Sequence, residues 1–259
     1  MSIKTLGVVS AMFCTVGIWV AGGNSHAAEI SVMATQAVKG AYVELVPGFQ
    51  SSTQHKVSTA WVGSGDIMKR ITAGEVVDIV FLASGSIDAL VKLGKLVPGS
   101  RVDIAKSGVG VAVQAGSPKP NISSSEAFKR TLLTAKSIAL SSGSSAVYLD
   151  GLFQRMGIAE ELKPRIKRIA VGLSVGEVVA RGEAELGFMQ VSELVTIAGI
   201  AYVGPLPPEM QLYTMYSGGI HTGAKSPDAA MDLLKFLKSP TALSAIKSAG
   251  MEPADTPKP

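Results

Sequence analysis

The five residues Ile79-Val80-Phe81-Leu82-Ala83 include no polar side chain. Successive strand residues point to opposite faces, so a strand with one wet face alternates apolar and polar side chains. This run does not alternate, and a strand built from it must be covered on both sides. Strands of that kind sit inside mostly parallel sheets with helices packed above and below, which makes the expected fold class α/β.

The neighbouring segments repeat the unit. Residues 30–34 read as a short buried strand, and 38–49 as a helix with Val38, Tyr42, Leu45, Val46 and Phe49 at helical spacing. Residues 56–62 alternate apolar and polar, with Trp61 near the end, before Gly63-Ser64-Gly65 turns into a helix through 66–71. The strand 78–83 leads through Ser84-Gly85 to a short helix over 86–93 that stops near Gly94.

A second series opens at Gly108 with a strand over 108–114 and a turn over 115–120. Ser123 with Glu126 resembles a capping box for a helix through Leu133. A strand over 137–140, a polar loop over 141–145 and a helix over 146–156 ending at Gly157 follow. Next come a helix over 175–181 and a strand over 184–190. Ser226-Pro227 and Ser239-Pro240 each supply a cap and a first-turn proline for two final helices, the first with Ala230, Leu233, Leu234 and Leu237 on one face. The unit of helix, Gly-Glu and strand occurs in each series, at Gly74-Glu75 and at Gly182-Glu183. It fits two lobes of related architecture, or a helix stop used twice.

Composition narrows the function classes. With 47% hydrophobic and 17% charged residues the chain can fold around a core, and its 28 glycines follow no collagen period. Aromatics at 5% are too sparse for a base-stacking surface, and a diffuse net charge of +4 implies no nucleic-acid partner.

The first 27 residues read as a leader. Lys4 precedes an uncharged apolar run over 5–21, and Ser25 and Ala27 stand two apart, as a signal peptidase requires. Cleavage after Ala27 and a periplasmic location are expected. The other reading is an uncleaved anchor, for which a run of about 17 apolar residues lies at the lower limit for spanning. Cleavage removes the one cysteine, Cys14, and with it disulfides, thiolate catalysis and Cys-ligated zinc. No later run is long enough to span a membrane. His55, read as a surface-loop residue, and His221 are far apart and make neither a triad nor a zinc site. There is no P-loop, His-Glu-x-x-His or dinucleotide fingerprint, so no metal or cofactor is expected.

Small hydroxyls and glycines gather between strand ends and helix starts, at Gly63-Ser64-Gly65 and over 141–145, including Ser144 and Ser145. In a parallel sheet such loops lie at the carboxyl ends of the strands, where ligands bind, and helix starts present unpaired amides that suit an anion. Gln36 and Ser84 belong to the same rim. Each serine taken singly is equally a helix cap. Asp66 is either a base or a helix-dipole partner, and Tyr148 either a ligand donor or a core residue. Arg101 either clamps a carboxylate or stays solvated, and Gln190 ends a strand at the rim.

In sequence order the chain resembles the periplasmic molybdate-type substrate-binding proteins of ABC importers. The likeness rests on Ile30-Ser31-Val32-Met33-Ala34, on Gly63-Ser64-Gly65 with Ile67 and Ile71, and on the stretch from Ala73 to Phe81. It continues through the stretch from Tyr148 to Gly157 and through Arg181-Gly182-Glu183-Ala184-Glu185-Leu186-Gly187. The resemblance implies two α/β lobes joined by crossing strands, with an anion in the cleft between them. The lobes are expected over 28–107 with 216–259, and over 108–215. The family's ligand positions fall on Ala37, Ser64, the neighbourhood of Ser145, Gly172 and Gln190. Ala37 lacks a hydroxyl and Gln190 replaces a tyrosine, so two of three side-chain donors for a tetrahedral oxyanion have changed. A small carboxylate or another oxyanion suits Gln36, Ser64, Ser145, Gln190 and Arg101 better.

Two functions stay open. The first is a monomeric, non-enzymatic carrier of a small anion with an ABC permease as partner. The resemblance extends to periplasmic proteins that isomerise aconitate, which gives the second: an isomerase in which Arg101 clamps carboxylates and Asp66 or Tyr148 moves the proton.

Overall fold

The computed structural model describes residues 27–141, 143–170 and 173–255, so the expected leader, but for Ala27, lies outside the described residues. In the first lobe β1 (Glu29–Ala34), α1 (Lys39–Thr53), β2 (Lys56–Trp61), α2 (Ser64–Thr72), β3 (Ile79–Ala83) and α3 (Ser84–Lys92) alternate as the apolar pattern requires. The three strands are parallel in the order β2-β1-β3, with Ala34 beside both Trp61 and Phe81. Val32, Ala34 and Phe81 pack on the side of α1, whereas Met33, Val80 and Leu82 face α2 and α3. That division explains the unbroken apolar run of β3, which is covered on both faces.

The chain leaves this lobe along β4 (Val102–Gln114) and builds the second from α4 (Ser125–Thr134), β5 (Ile138–Leu140), α5 (Ser144–Arg155), α6 (Ala159–Leu162) and β6 (Ile166–Arg168). α7 (Val175–Ala180), β7 (Leu186–Gln190), α8 (Val191–Leu194) and β8 (Ile200–Pro205) complete it. The return strand β9 (Tyr213–Ile220), α9 (Pro227–Leu237), α10 (Leu243–Ser248) and β10 (Glu252–Pro253) belong again to the first lobe's sheet and core. β5 is parallel to both β6 and β7, giving the second lobe its own parallel triplet.

β4 is the joint. Its residues 102–108 pair antiparallel with β9, and its residues 109–114 with β7 and β8. The pairings also fix direction. β9 is antiparallel to both β3 and β4, so β1, β2 and β3 point the way β4 runs, toward the second lobe. β7 is antiparallel to β4, so β5, β6 and β7 point back toward the first lobe. The carboxyl ends of the two triplets therefore face each other. The end of β3 is level with Ala105 through Tyr216, and the end of β7 is level with Val109. Four residues of extended strand, about 13 Å, separate these levels.

Two local expectations change. Ser124 rather than Ser123 caps α4: its hydroxyl accepts from the Ala127 amide at 3.2 Å, while Ser123 donates to Asn121 at 2.8 Å. His55 is buried, because its Nδ1 accepts the Ala28 amide at 3.0 Å and its ring packs on Phe49. Among the described residues no helix is long and apolar enough to cross a membrane.

Candidate functional site

On the first lobe the Thr35 amide donates to the Phe81 carbonyl at 3.2 Å, and the Val62 amide to the Ala34 carbonyl at 3.0 Å. These bonds extend the sheet one residue past its strands and hold the following loops together. Ser64 Oγ then donates to Thr35 Oγ1 at 3.0 Å. Thr35 is 6% exposed, while Ser64 is exposed, so a buried hydroxyl anchors an exposed one. Gly65 is exposed and a Cβ there would meet nothing within 4 Å. Ser84 begins α3 half-buried, Gln36 is exposed in a 3-10 turn, and Ala37 is buried in the core. Thr35 was not among the sequence candidates, although its place after β1 matches that of Ser84 after β3.

On the second lobe Ser141 Oγ accepts the Gly143 amide at 3.3 Å and lies 3.4 Å from Ser145 Oγ. Ser145 is 3% exposed. Gln190, also 3% exposed, donates Nε2 to Thr214 Oγ1 at 3.3 Å, and its Oε1 has no partner. The Oγ atoms of Ser174, before α7, and Ser192, in α8, are likewise buried and unpartnered. Each unmet buried polar atom costs about 1–3 kcal/mol unless a ligand or water completes its bonding, and His221 Nε2 in the first lobe is a further one. A Gln190 amide turned over receives the Thr214 hydroxyl on Oε1 and offers Nε2 to an anion. Gly172 and the side chain of Ser144 lie outside the described residues.

The acid–base and clamp candidates fare differently. Arg101 is already paired, donating to Asp88 at 2.8 Å and to Asp103 at 2.7 Å, and the two carboxylates raise its pKa further. As a clamp it has been spent on its own lobe. The Tyr148 hydroxyl donates to the Met210 carbonyl at 2.7 Å, which commits its proton to the backbone. Asp66 is exposed in the first turn of α2, where it complements the helix dipole. His221 is buried, with Nδ1 accepting the Gly223 amide at 2.9 Å, and burial lowers its pKa. No cluster of metal-ligating side chains occurs among the described residues.

One carboxyl escaped the sequence reading. Glu193 in α8 makes no side-chain hydrogen bond or ion pair among the described residues, lies close enough to Tyr216 to raise that phenol's pKa, and has its own pKa raised by burial from 4.5 to about 7. α8 packs on the 3-10 turn and α1 of the opposite lobe, so this group lies where the lobes touch. The signal available in sequence was only Gln190-Val191-Ser192-Glu193, a polar stretch following a buried strand.

Comparison with known proteins places this geometry in context. A family model described as bacterial extracellular solute-binding protein matches residues 30–252. An aconitate isomerase of Pseudomonas sp is 38% identical over 230 residues, covering 86% of this chain and 87% of that protein. A molybdate-binding protein of Azotobacter vinelandii is 25% identical over 232 residues, covering 87% of this chain and 90% of that protein. The solved structure of the sulfate-binding protein SubI from Mycobacterium tuberculosis H37Rv superposes with a TM-score of 0.72 at 19% identity, covering 88% of each chain; this is a likeness of fold.

Proposed function

The chain belongs to the bacterial extracellular solute-binding proteins, and from that premise we propose that it is a periplasmic carrier for a small carboxylate anion. It is exported by a leader over 1–27 and holds its ligand between a lobe of residues 28–107 with 216–259 and a lobe of residues 108–215. An ABC importer receives the ligand from the closed form. Because anything that binds the closed form more tightly shifts the equilibrium toward it, the lobes close on the ligand without chemistry.

The observation that carries this reading is the opposition of the two triplets. Thr35 and Ser64 stand at strand ends that face those bearing Ser145 and Gln190. All four are neutral hydrogen-bonding groups, and the helix starts beside them add backbone amides. A carboxylate rather than a tetrahedral oxyanion is favoured by the changed donor set and by the 38% identity to an aconitate isomerase.

That identity also supports a second reading, in which the bound tricarboxylate is isomerised. The carrier is preferred because Tyr148 is bonded to the Met210 carbonyl and Arg101 to Asp88 and Asp103. Thermal melts with molybdate, tungstate, sulfate, citrate and both aconitates test the ligand class. A ligand at 100 times its dissociation constant adds about 2.7 kcal/mol. Stabilisation by molybdate and by none of the carboxylates overturns the carboxylate reading. Conversion of trans- to cis-aconitate by the purified protein overturns the non-enzymatic one.

A further inference from the structure

We infer that Lys39 is the cation that selects a multiply charged carboxylate at the mouth of the cleft, an inference that rests on the carboxylate reading above. Lys39 opens α1 and is exposed, with Nζ 5.5 Å from the centre of the Trp61 ring. Tyr42 meets that ring edge-on at 5.3 Å and is itself tied to Thr59 by a 2.8 Å hydrogen bond, so the indole is braced. Trp61 is the register partner of Ala34. The next residue after Ala34 is Thr35, and the loop after Trp61 delivers Ser64, whose hydroxyls meet at 3.0 Å. The ammonium–indole pair therefore borders the same strand ends, on the side of α1.

The charge of Lys39 is left uncancelled, unlike that of two other cations of the first lobe. Arg101 is neutralised by Asp88 and Asp103, and Lys106 is paired with Glu252. Lys39 has no carboxylate within ion-pair distance among the described residues. An aromatic face positions a cation without cancelling its charge, whereas a carboxylate cancels it. The ligand-facing hydroxyls and amides are neutral, so a dianion or trianion entering the cleft finds its formal counter-charge at this rim. Attraction to such a charge grows with the ligand's own charge, speeds its capture and weakens with salt.

The test is calorimetric titration of trans-aconitate into wild type, Lys39→Met, Lys39→Arg and Trp61→Leu at low and high ionic strength. Lys39→Met should bind about tenfold more weakly at low salt, with the deficit shrinking to about twofold in high salt. Lys39→Arg should stay within about twofold of wild type, and Trp61→Leu should lose about threefold by freeing the ammonium. Lys39→Met binding within twofold of wild type at low salt, or an equal deficit at both salts, overturns the inference. If wild type itself takes no trans-aconitate, the carboxylate reading fails, and this inference falls with it for that separate reason.

Discussion

Ser64 Oγ donates to Thr35 Oγ1 across 3.0 Å, joining the loops that follow two adjacent parallel strands. The bond leaves the Thr35 hydroxyl proton free to point onward. It also aims the exposed Ser64 side chain without burying it. A polar pair held this way needs little rearrangement to receive an anion, which is what preorganisation means for a binding site.

Ser64→Ala should therefore weaken anion binding about tenfold, since it releases the Thr35 hydroxyl, whose proton is the one left to donate, and a hydrogen bond to a charged group contributes about 1.5–3 kcal/mol. Its effect on the unliganded protein should stay within about 0.5 kcal/mol, because the residue is exposed. Titration calorimetry with trans-aconitate and urea unfolding without it separate the two effects.

Gln190→Leu should do the reverse. Removing a buried amide whose Oε1 is unpartnered takes away a desolvation penalty, so the unliganded protein should keep or gain about 1 kcal/mol. The ligand-induced rise in melting temperature should fall sharply. A variant less stable by several kcal/mol without ligand would show that the amide is structural.

Asp78 governs the acid limb of stability. Burial alone would raise its carboxyl, but the Ser31 hydroxyl and amide and the Ser226 and Lys225 amides together lower it below the ordinary carboxylate range. The native state thus binds its proton less readily than the unfolded chain does. The stability it contributes is present above the unfolded carboxylate pKa and is lost as pH falls through the lowered native value. Asp78→Asn should cost about 2–4 kcal/mol at pH 7 and flatten the acid decline, as urea midpoints against pH would show.

How much of this was legible beforehand varied by residue. The first parallel triplet was readable because β3 is a continuous apolar run, β2 alternates, and the helix between β1 and β2 carries apolar residues at helical spacing; β6 of the second triplet, only Ile166-Lys167-Arg168, was not read. The crossing between the lobes was implied by the family resemblance and not by the residues of the crossing strands. β4 was expected from Gly108, because Asp103, Lys106 and Ser107 look foreign to a strand; Asp103 pairs with Arg101, Lys106 with Glu252, and Ser107 accepts the Ser192 amide. β9 was not read as a strand, because Gly218-Gly219 offers no side chains to show a strand's pattern. A Cβ at Gly218 would lie 2.2 Å from Leu234 and 2.8 Å from Phe81, so glycine there serves close packing. Thr35 went unnoticed for a related reason: its partner is far away in sequence, and only the strand register brings the two hydroxyls together. The same limit hid the prior engagement of Arg101 and Tyr148.

Glu193 bends stability the other way. Its native pKa, about 7, lies above the 4.5 of an ordinary glutamate, so the folded protein holds this proton more tightly than the unfolded chain. Its contribution is fully present below 4.5 and is lost as pH rises through about 7. Glu193→Gln should raise stability by about 1–3 kcal/mol at pH 8 and leave it nearly unchanged at pH 4. Equal effects at both pH values would mean that the carboxyl does not titrate in this window.

The central claim is that an anion bridges the facing strand ends, and backbone amide chemical shifts on adding trans-aconitate test it most directly. The account predicts saturable shifts in both lobes together, at Thr35 and Ser64 and at Ser145 and Gln190. A surface depression lined by Arg101, Val102, Asp103, Met231, Lys235 and Lys238 offers a competing location. Shifts confined to that depression, or to one lobe alone, would contradict the account.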